Sequence, residues 1–222
     1  MLERFRQFWT NFWSPVAHLF LKWGISPNTV TTIGTLGVVA GAVIFFPMGK
    51  LLIGVLVITA FVFSDIIDGY MARTSGQTSS FGAFLDSTLD RIGDAAIFGG
   101  LAMYYVGPGD NHWFAALAIY CLSMGSVTSY ARARAESLGM QAKVGIAERS
   151  DRLVSILVIT GLADLIRILG ASDKVLYAIP VTLGLLAVAS TITVGQRIAV
   201  VRSQALAAAA APAGPESGSA DS

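Results

Sequence analysis

Residues 51–73 read LLIGVLVITAFVFSDIIDGYMAR, and residues 82–106 read GAFLDSTLDRIGDAAIFGGLAMYYV. Each run is apolar over about the 20 residues that a bilayer-crossing helix needs, yet aspartates cluster where the first ends and the second begins. Asp65 and Asp68 are three apart, Asp86 and Asp90 four apart, and both spacings put a pair on one helix face. Antiparallel packing across the eight-residue connection 74–81 brings the two pairs together. The pattern predicts a hairpin of membrane helices with four carboxylates converging near one bilayer surface.

Composition extends this reading to the whole chain. Of 222 residues, 54% are hydrophobic and only 13% charged, with a mean hydropathy of +0.66; a soluble domain carries about a quarter charged residues. Most of the surface must therefore face lipid. The net charge of +1 offers nucleic acid no attraction, so none is expected as a partner. The single Cys121 excludes an internal disulfide and a Cys-based zinc site; it lies in an apolar stretch and reads as packing.

Six spans are predicted, at 29–48, 51–73, 82–106, 113–136, 150–169 and 175–198. Residues 2–22 alternate Phe5, Phe8, Trp9, Phe12, Trp13 and Phe20 with Arg4, Arg6 and Lys22, the pattern of an amphipathic interfacial helix, which Pro15 kinks or divides. This start is amphipathic rather than a cleavable signal. The expected fold is one all-α integral membrane domain over residues 1–202, followed by an Ala/Pro/Gly/Ser-rich disordered tail at 203–222. Of the 15 Lys and Arg residues, all but Lys50, Arg167 and Lys174 fall on one side of this arrangement. The 12-to-3 split puts both termini and the aspartate cluster on the cytoplasmic face of the cell membrane, among its lipids.

A lone Asp within a span costs about 2.5–3.5 kcal/mol on the mild insertion scale, and four gathered anions repel. A bound cation removes both objections. Oxygen-only, hard ligands fit Mg²⁺ or Mn²⁺ rather than zinc or copper, and four carboxylates suffice for two ions about 3.5–4 Å apart, the arrangement used in phosphoryl displacement. The competing reading has these residues capping helices or pairing with Arg73 and Arg91. Gly69, Ala72 and Gly82 let backbones approach closely, for helix packing or to admit a flat base and ribose.

Together these residues spell D-x2-D-G-x2-A-R-x8-G-x3-D-x3-D from Asp65 to Asp90. This pattern resembles the signature of the CDP-alcohol phosphatidyltransferase family, with no departure at its eight fixed positions; the likeness extends over roughly residues 15–200, six spans and interfacial helix included. The resemblance implies that Asp65, Asp68 and Asp86 bind metal, and that Asp90 is both ligand and general base toward an acceptor hydroxyl. It implies that Gly69, Ala72, Arg73 and Gly82 surround the CDP moiety of CDP-diacylglycerol, with Ser79 helping through its hydroxyl. The segment Pro27-Asn28-Thr29-Val30-Thr31 resembles the family stretch that closes over the nucleotide, and it also reads as a helix N-terminus. The family is commonly homodimeric.

A second polar group comprises Ser129, Arg132, Arg134, Arg149 and Arg152 with Glu136, Glu148 and Asp151; Arg197 ends the last span on the same side. Arg grips phosphate through a planar fork, so this group suggests a phosphate-bearing acceptor held by Ser129, Arg132, Arg149, Arg152 and Arg197; lipid-headgroup anchoring is the alternative. Ser-Tyr-x-Arg-x-Arg-Ala-Glu (129–136), Glu148-Arg149-x-x-Arg152-Leu and Phe-Pro-Met-Gly-Lys (46–50) are similar to the actinobacterial branch of the family that joins inositol 1-phosphate to CDP-diacylglycerol. Between Arg132 and Arg134 the pattern does not choose. Glycerol 3-phosphate is the competing acceptor, and a proton- or cation-coupled transporter the competing class. His18 and His112 read as interface residues. Asp94 continues the Asp86/Asp90 face and either orients a ligand or an Arg or lines an internal polar contact.

Overall fold

The structure is a computed structural model that describes residues 14–76 and 79–210, without the side chains of residues 65 and 66. Residues 2–13 of the expected interfacial helix and 211–222 of the expected tail lie outside the described residues. Among the described residues the chain is helical, with no strand.

Residues 14–22 form α1, which runs through Pro15. α2 (Pro27–Ala40) starts where the Ser26 side chain accepts a hydrogen bond from Thr29 N–H at 3.2 Å, with proline in its first turn; it continues as a π-helical turn over Gly41–Phe45. The expected span 51–73 is two helices, α3 (Leu51–Val62) and α4 (Ser64–Thr74), broken at Phe63. α5 (Ser80–Val106), α6 (His112–Ser137), α7 (Arg149–Ile168) and α8 (Ala178–Ala210) complete the bundle. Ser79 caps α5, Asn111 caps α6, and Glu148 with Asp151 forms a capping box on α7. A 3₁₀ turn over Asp173–Tyr177 precedes α8.

α5 packs against α2 and α6, α8 against α6 and α7, and α3 against α2 and α7. The main core joins Phe46, Leu51, Ile58, Ile97, Leu101, Ile156 and Leu183. Small residues set the closest crossings: a Cβ on Gly100 of α5 would stand 2.7 Å from the Ala42 carbonyl oxygen. Such contacts suit a membrane bundle, where close van der Waals packing rather than the hydrophobic effect drives helix association. Outward faces stay apolar, with Leu36, Leu56, Trp113, Val181 and Leu185 each more than half exposed. His18 packs edge-on against Tyr70, whose hydroxyl is 3.1 Å from His18 Nε2, and the buried Cys121 thiol donates to Leu183 O at 3.2 Å.

Among the described residues, four segments are long and apolar enough to cross a membrane: Pro27–Phe45, Leu51–Thr74, His112–Ser137 and Asp173–Ala210. α5 and α7 have the length, 27 and 20 residues, but carry charges at the end they share: Asp86, Asp90, Arg91 and Asp94 on one, Arg149, Asp151 and Arg152 on the other. Charges inside a bundle mark function by their cost.

The opposite end of α7, roughly 22 Å from Arg149 at 1.5 Å per residue, has its own buried carboxylate. Asp164 accepts from Leu52 N–H at 2.7 Å, so α7 caps α3, whose Lys50 makes no side-chain cap. Arg167 Nη2 neutralises Asp164 Oδ1 at 2.5 Å, a charge contact rather than an aligned hydrogen bond. Asp164→Ala removes the cap and leaves Arg167 unpaired; with Arg167 partly in solvent, the expected loss is about 2 kcal/mol, or roughly 4–8 °C in thermal midpoint for a chain this size. Asp164→Asn, which still accepts from Leu52, is expected to lose less. Thermal unfolding in detergent checks this, and an unchanged midpoint for the alanine variant refutes it.

Candidate active site

α4 and α5 carry the aspartates, and α2 lies against both. Asp68 is 8% exposed, and Thr31 on α2 donates to its Oδ2 at 2.5 Å while also reaching Pro27 O at 3.1 Å. Asp86 is exposed on α5 and lies within electrostatic range of both Asp68 and Asp90. Asp65 sits one helical turn before Asp68, the spacing that shares a face; its side chain is outside the described residues. Among the described residues, no three His, Cys, Asp or Glu side chains stand close enough together to hold an ion. The donor chemistry still fits one: anionic oxygens in mutual repulsion, without sulfur or imidazole, suit a hard divalent cation.

Asp90 does not stand free. Arg149 Nη1 reaches its Oδ1 at 2.8 Å and Arg91 Nη2 lies 3.6 Å from Oδ2. The pairing with Arg91 is the competing reading of the sequence realised at one of the three positions whose side chains are described, while Arg149, expected as a phosphate ligand, is the shorter contact. Arg149 Nε also binds Asp94 Oδ1 at 2.9 Å. Asp94 therefore holds arginines.

The residues expected around the nucleotide fall into two neighbouring groups. A Cβ on Gly82 would stand 3.4 Å from Asn28 Oδ1 and 3.3 Å from Ser79 Oγ, so Asn28, Ser79 and Gly82 meet. Gly82 N–H donates to Ser79 Oγ at 3.0 Å, and Ser79 is thus also the α5 cap. On α4, the Arg73 guanidinium folds back over Gly69, where a Cβ would stand 3.4 Å from Nη1; Ala72 is half-buried on the same helix. Thr31 links these groups through Asp68. Thr29 is engaged in the Ser26 cap, and Val30 is buried with Ala17, Ile67 and Met71 in a small core. Thr29 thus stands in the helix cap and Val30 in the small core, while Asn28 adjoins Gly82 and Thr31 adjoins Asp68.

Beside Asp90 opens a cavity of about 800 Å³, lined by Ser129 and Arg132 of α6, Arg149 and Arg152 of α7 and Arg197 of α8 among others. Arg152 is 2% exposed and donates to Ala147 O at 3.3 Å; it fits because Gly125 faces it, where a Cβ would stand 3.3 Å from Nη2. Arg197 donates from Nε to Val144 O at 3.0 Å and from Nη1 to Thr128 O at 2.5 Å. The first bond pins the 138–148 connection to α8, helped by Thr193 Oγ1, which accepts from Ile146 and Ala147 N–H at 3.2 and 3.3 Å, and the second ties α8 to α6. Gly145 has φ +147°, and a Cβ there would meet Thr193 Cγ2 at 2.3 Å, so only glycine fits. Arg132 lines the cavity and pairs with Glu136 at 3.0 Å, whereas Arg134 points elsewhere, to Ser137. Ser129 Oγ accepts from Arg91 Nη1. Arg91 and Gly125 are site residues that sequence reasoning missed. Arg91 was legible only as a partner for acids, and Gly125 carried no signal distinguishing it from other helix glycines.

The chain matches the family model for CDP-alcohol phosphatidyltransferase over residues 24–194. It is 48% identical over 215 residues to the phosphatidylinositol phosphate synthase of Streptomyces avermitilis, covering 96% of this chain and 87% of that one. It is also 48% identical over 202 residues to the synthase of that name from Cutibacterium acnes, covering 91% and 98%. Among solved structures it resembles Mycobacterium tuberculosis phosphatidylinositol phosphate synthase with CDP-DAG bound, at TM-score 0.78 and 40% identity over 84% of this chain and 92% of that one. The same enzyme in complex with manganese and citrate gives TM-score 0.78 and 40% identity over 85% and 88%. The chain belongs to the CDP-alcohol phosphatidyltransferase family.

Proposed function

We propose that the chain transfers the phosphatidyl group of CDP-diacylglycerol to 1D-myo-inositol 3-phosphate (L-myo-inositol 1-phosphate), giving phosphatidylinositol phosphate and CMP. The observation that carries this reading is one cavity in which Asp90 stands among five arginines, Arg91, Arg132, Arg149, Arg152 and Arg197, with Glu136 and Glu148 also in its wall. Forked guanidinium donors suit a phosphate monoester, and the carboxylate beside them suits proton removal from a hydroxyl on the same molecule. The names of the relatives support the acceptor.

The reaction breaks the pyrophosphate bond as the acceptor oxygen attacks the lipid-side phosphorus, and CMP departs with the bonding electrons. Asp90 takes the acceptor proton. Arg132, Arg149, Arg152 and Arg197 hold the acceptor's phosphate, aided by Ser129. The segment Asn28, Thr29, Val30 and Thr31, with Gly69, Ala72, Arg73, Ser79 and Gly82, surrounds the CDP moiety. Asp65, Asp68, Asp86 and Asp90 would hold the divalent metal, Mg²⁺ or Mn²⁺ as two ions, which when bound would neutralise charge at the pyrophosphate and departing CMP. Positioning and electrostatics then provide most of the acceleration.

The same reading makes α5 and α7 membrane spans alongside the four apolar segments, six in all, with residues 2–22 on the membrane surface and one domain over residues 1–202. The basic split puts both termini and the site in the cytoplasm, at the cell membrane, and two copies form a homodimer.

Excess EDTA is expected to abolish CMP release and added Mg²⁺ or Mn²⁺ to restore it; full turnover in chelator would remove metal from the scheme. Asp90→Asn is expected to cut turnover by about 100-fold or more, the usual weight of a general base, while CDP-diacylglycerol binding persists. A variant keeping roughly a tenth of wild-type turnover would show that Asp90 is not the base. For the acceptor, inositol phosphate should outcompete glycerol 3-phosphate and free inositol in CMP-release assays. Arg132→Gln should raise its Michaelis constant by about 10- to 150-fold, the worth of one charge-assisted bond, with CDP-lipid affinity nearly unchanged. Preference for glycerol 3-phosphate moves the acceptor assignment, and equal use of free inositol reduces the arginines to a lipid anchor.

A further inference from the structure

The buried acid Asp94 is used by no step above. It lies one turn beyond Asp90 on α5 and is 6% exposed. It is one of four charges that close a ring. Arg149 bridges Asp94 Oδ1 through Nε at 2.9 Å and Asp90 Oδ1 through Nη1 at 2.8 Å. Arg91 Nη2 lies 3.8 Å from Asp94 Oδ2 and 3.6 Å from Asp90 Oδ2. Two carboxylates alternate with two guanidiniums, so the ring carries no net charge. Both arginines also face outward: Arg149 lines the cavity, and Arg91 donates from Nη1 to Ser129 Oγ, another lining group.

We propose that Asp94 is a positioning residue for transfer: it shares Arg149 and Arg91 with Asp90, so that neither arginine is drawn wholly onto Asp90 and both keep their cavity-side orientation. The inference rests on the reading of Asp90 as base and of the cavity as acceptor site. A guanidinium held at Nε by one carboxylate and at Nη1 by another cannot rotate about its own stem, which fixes the edge it offers a phosphate. Without the Asp94 charge, Asp90 is the one carboxylate left to both arginines in this ring. They would draw onto it, covering the base and withdrawing Arg149 and Ser129 from the acceptor. Asp94 thus acts on acceptor binding and proton transfer together, and touches nothing in the nucleotide groups around Asn28 and Gly69.

The test compares full-length wild type, Asp94→Asn and Asp94→Glu in detergent, measuring kcat and acceptor KM at saturating CDP-diacylglycerol, CDP-diacylglycerol affinity and thermal midpoint. Asp94→Asn keeps shape and one acceptor oxygen while losing the charge. It is expected to raise acceptor KM about 5- to 20-fold, the difference between a charged and a neutral hydrogen-bond acceptor, and to lower kcat. CDP-diacylglycerol affinity should stay within about twofold, because only the acceptor side of the site moves. Asp94→Glu, which restores the charge one methylene farther out, should fall between the two. In an Arg149→Gln background Asp94→Asn should add little to acceptor KM, because the two residues act as one unit. A purely structural acid would lower the folded fraction and leave acceptor KM at its wild-type value, and that result overturns the proposal. Fully additive effects with Arg149→Gln, or failure of both Asp94 variants to fold, overturn it as well. The wild-type acceptor panel is read separately: if glycerol 3-phosphate is preferred, the acceptor assignment falls and the Asp94 comparison is made on that acceptor.

Discussion

Arg149 is the tie on which the site depends. From the first turn of α7 it reaches two carboxylates of α5, Asp90 at 2.8 Å and Asp94 at 2.9 Å. The polar face of α5 repeats acids every fourth residue, Asp86, Asp90 and Asp94, and such a face is intolerable within an apolar bundle unless cations oppose it. α7 answers with Arg149 and Arg152, and α8 with Arg197. Charge balance at this end of the bundle and the construction of the cavity are one physical problem with one solution.

The arginines divide by what holds them. Arg152 and Arg197 are nearly buried and bind backbone carbonyls, those of Ala147, Val144 and Thr128. Arg91, Arg132 and Arg149 are about a third to two-fifths exposed and bind carboxylates. A guanidinium has five N–H donors, so the one to three engaged in each of these groups restrain it and leave others for a ligand. Orientation settled before a ligand arrives lowers the entropic cost of holding it. The glycines serve the same end: Gly125 makes space for Arg152, and Gly145 lets the 138–148 connection lie against Thr193.

The rest of the bundle is a lipid-matched frame. The four apolar segments present exposed Leu, Ile and Val outward, while α5 and α7, too charged to register as apolar, carry the chemistry. At the far end Asp164 and Arg167 repeat the principle on a smaller scale, a buried charge paired and used to cap a neighbouring helix.

The sequence by itself determined the helical membrane architecture, the acid pairs on single helix faces and the arginines at helix ends. These follow from composition and from periods of three to four residues, which are local. The predicted span starts at 82, 113 and 150 fall within two residues of the observed starts at Ser80, His112 and Arg149 for the same reason, while the caps at Ser79, Asn111 and Glu148 emerged only in the folded chain. Tertiary structure decided the partners. Arg132 and Arg134 look alike in the chain, but two residues turn a helix by about 200°, so one lines the cavity and the other does not. Thr29 and Val30 read alike in the sequence, and only the folded chain sets Val30 in the small core against α1 and α4 and Thr29 in the Ser26 cap. Asp94 had two readings until Arg149, 55 residues later, settled on it. A pairing across that distance depends on how α5 and α7 cross, which no local pattern encodes.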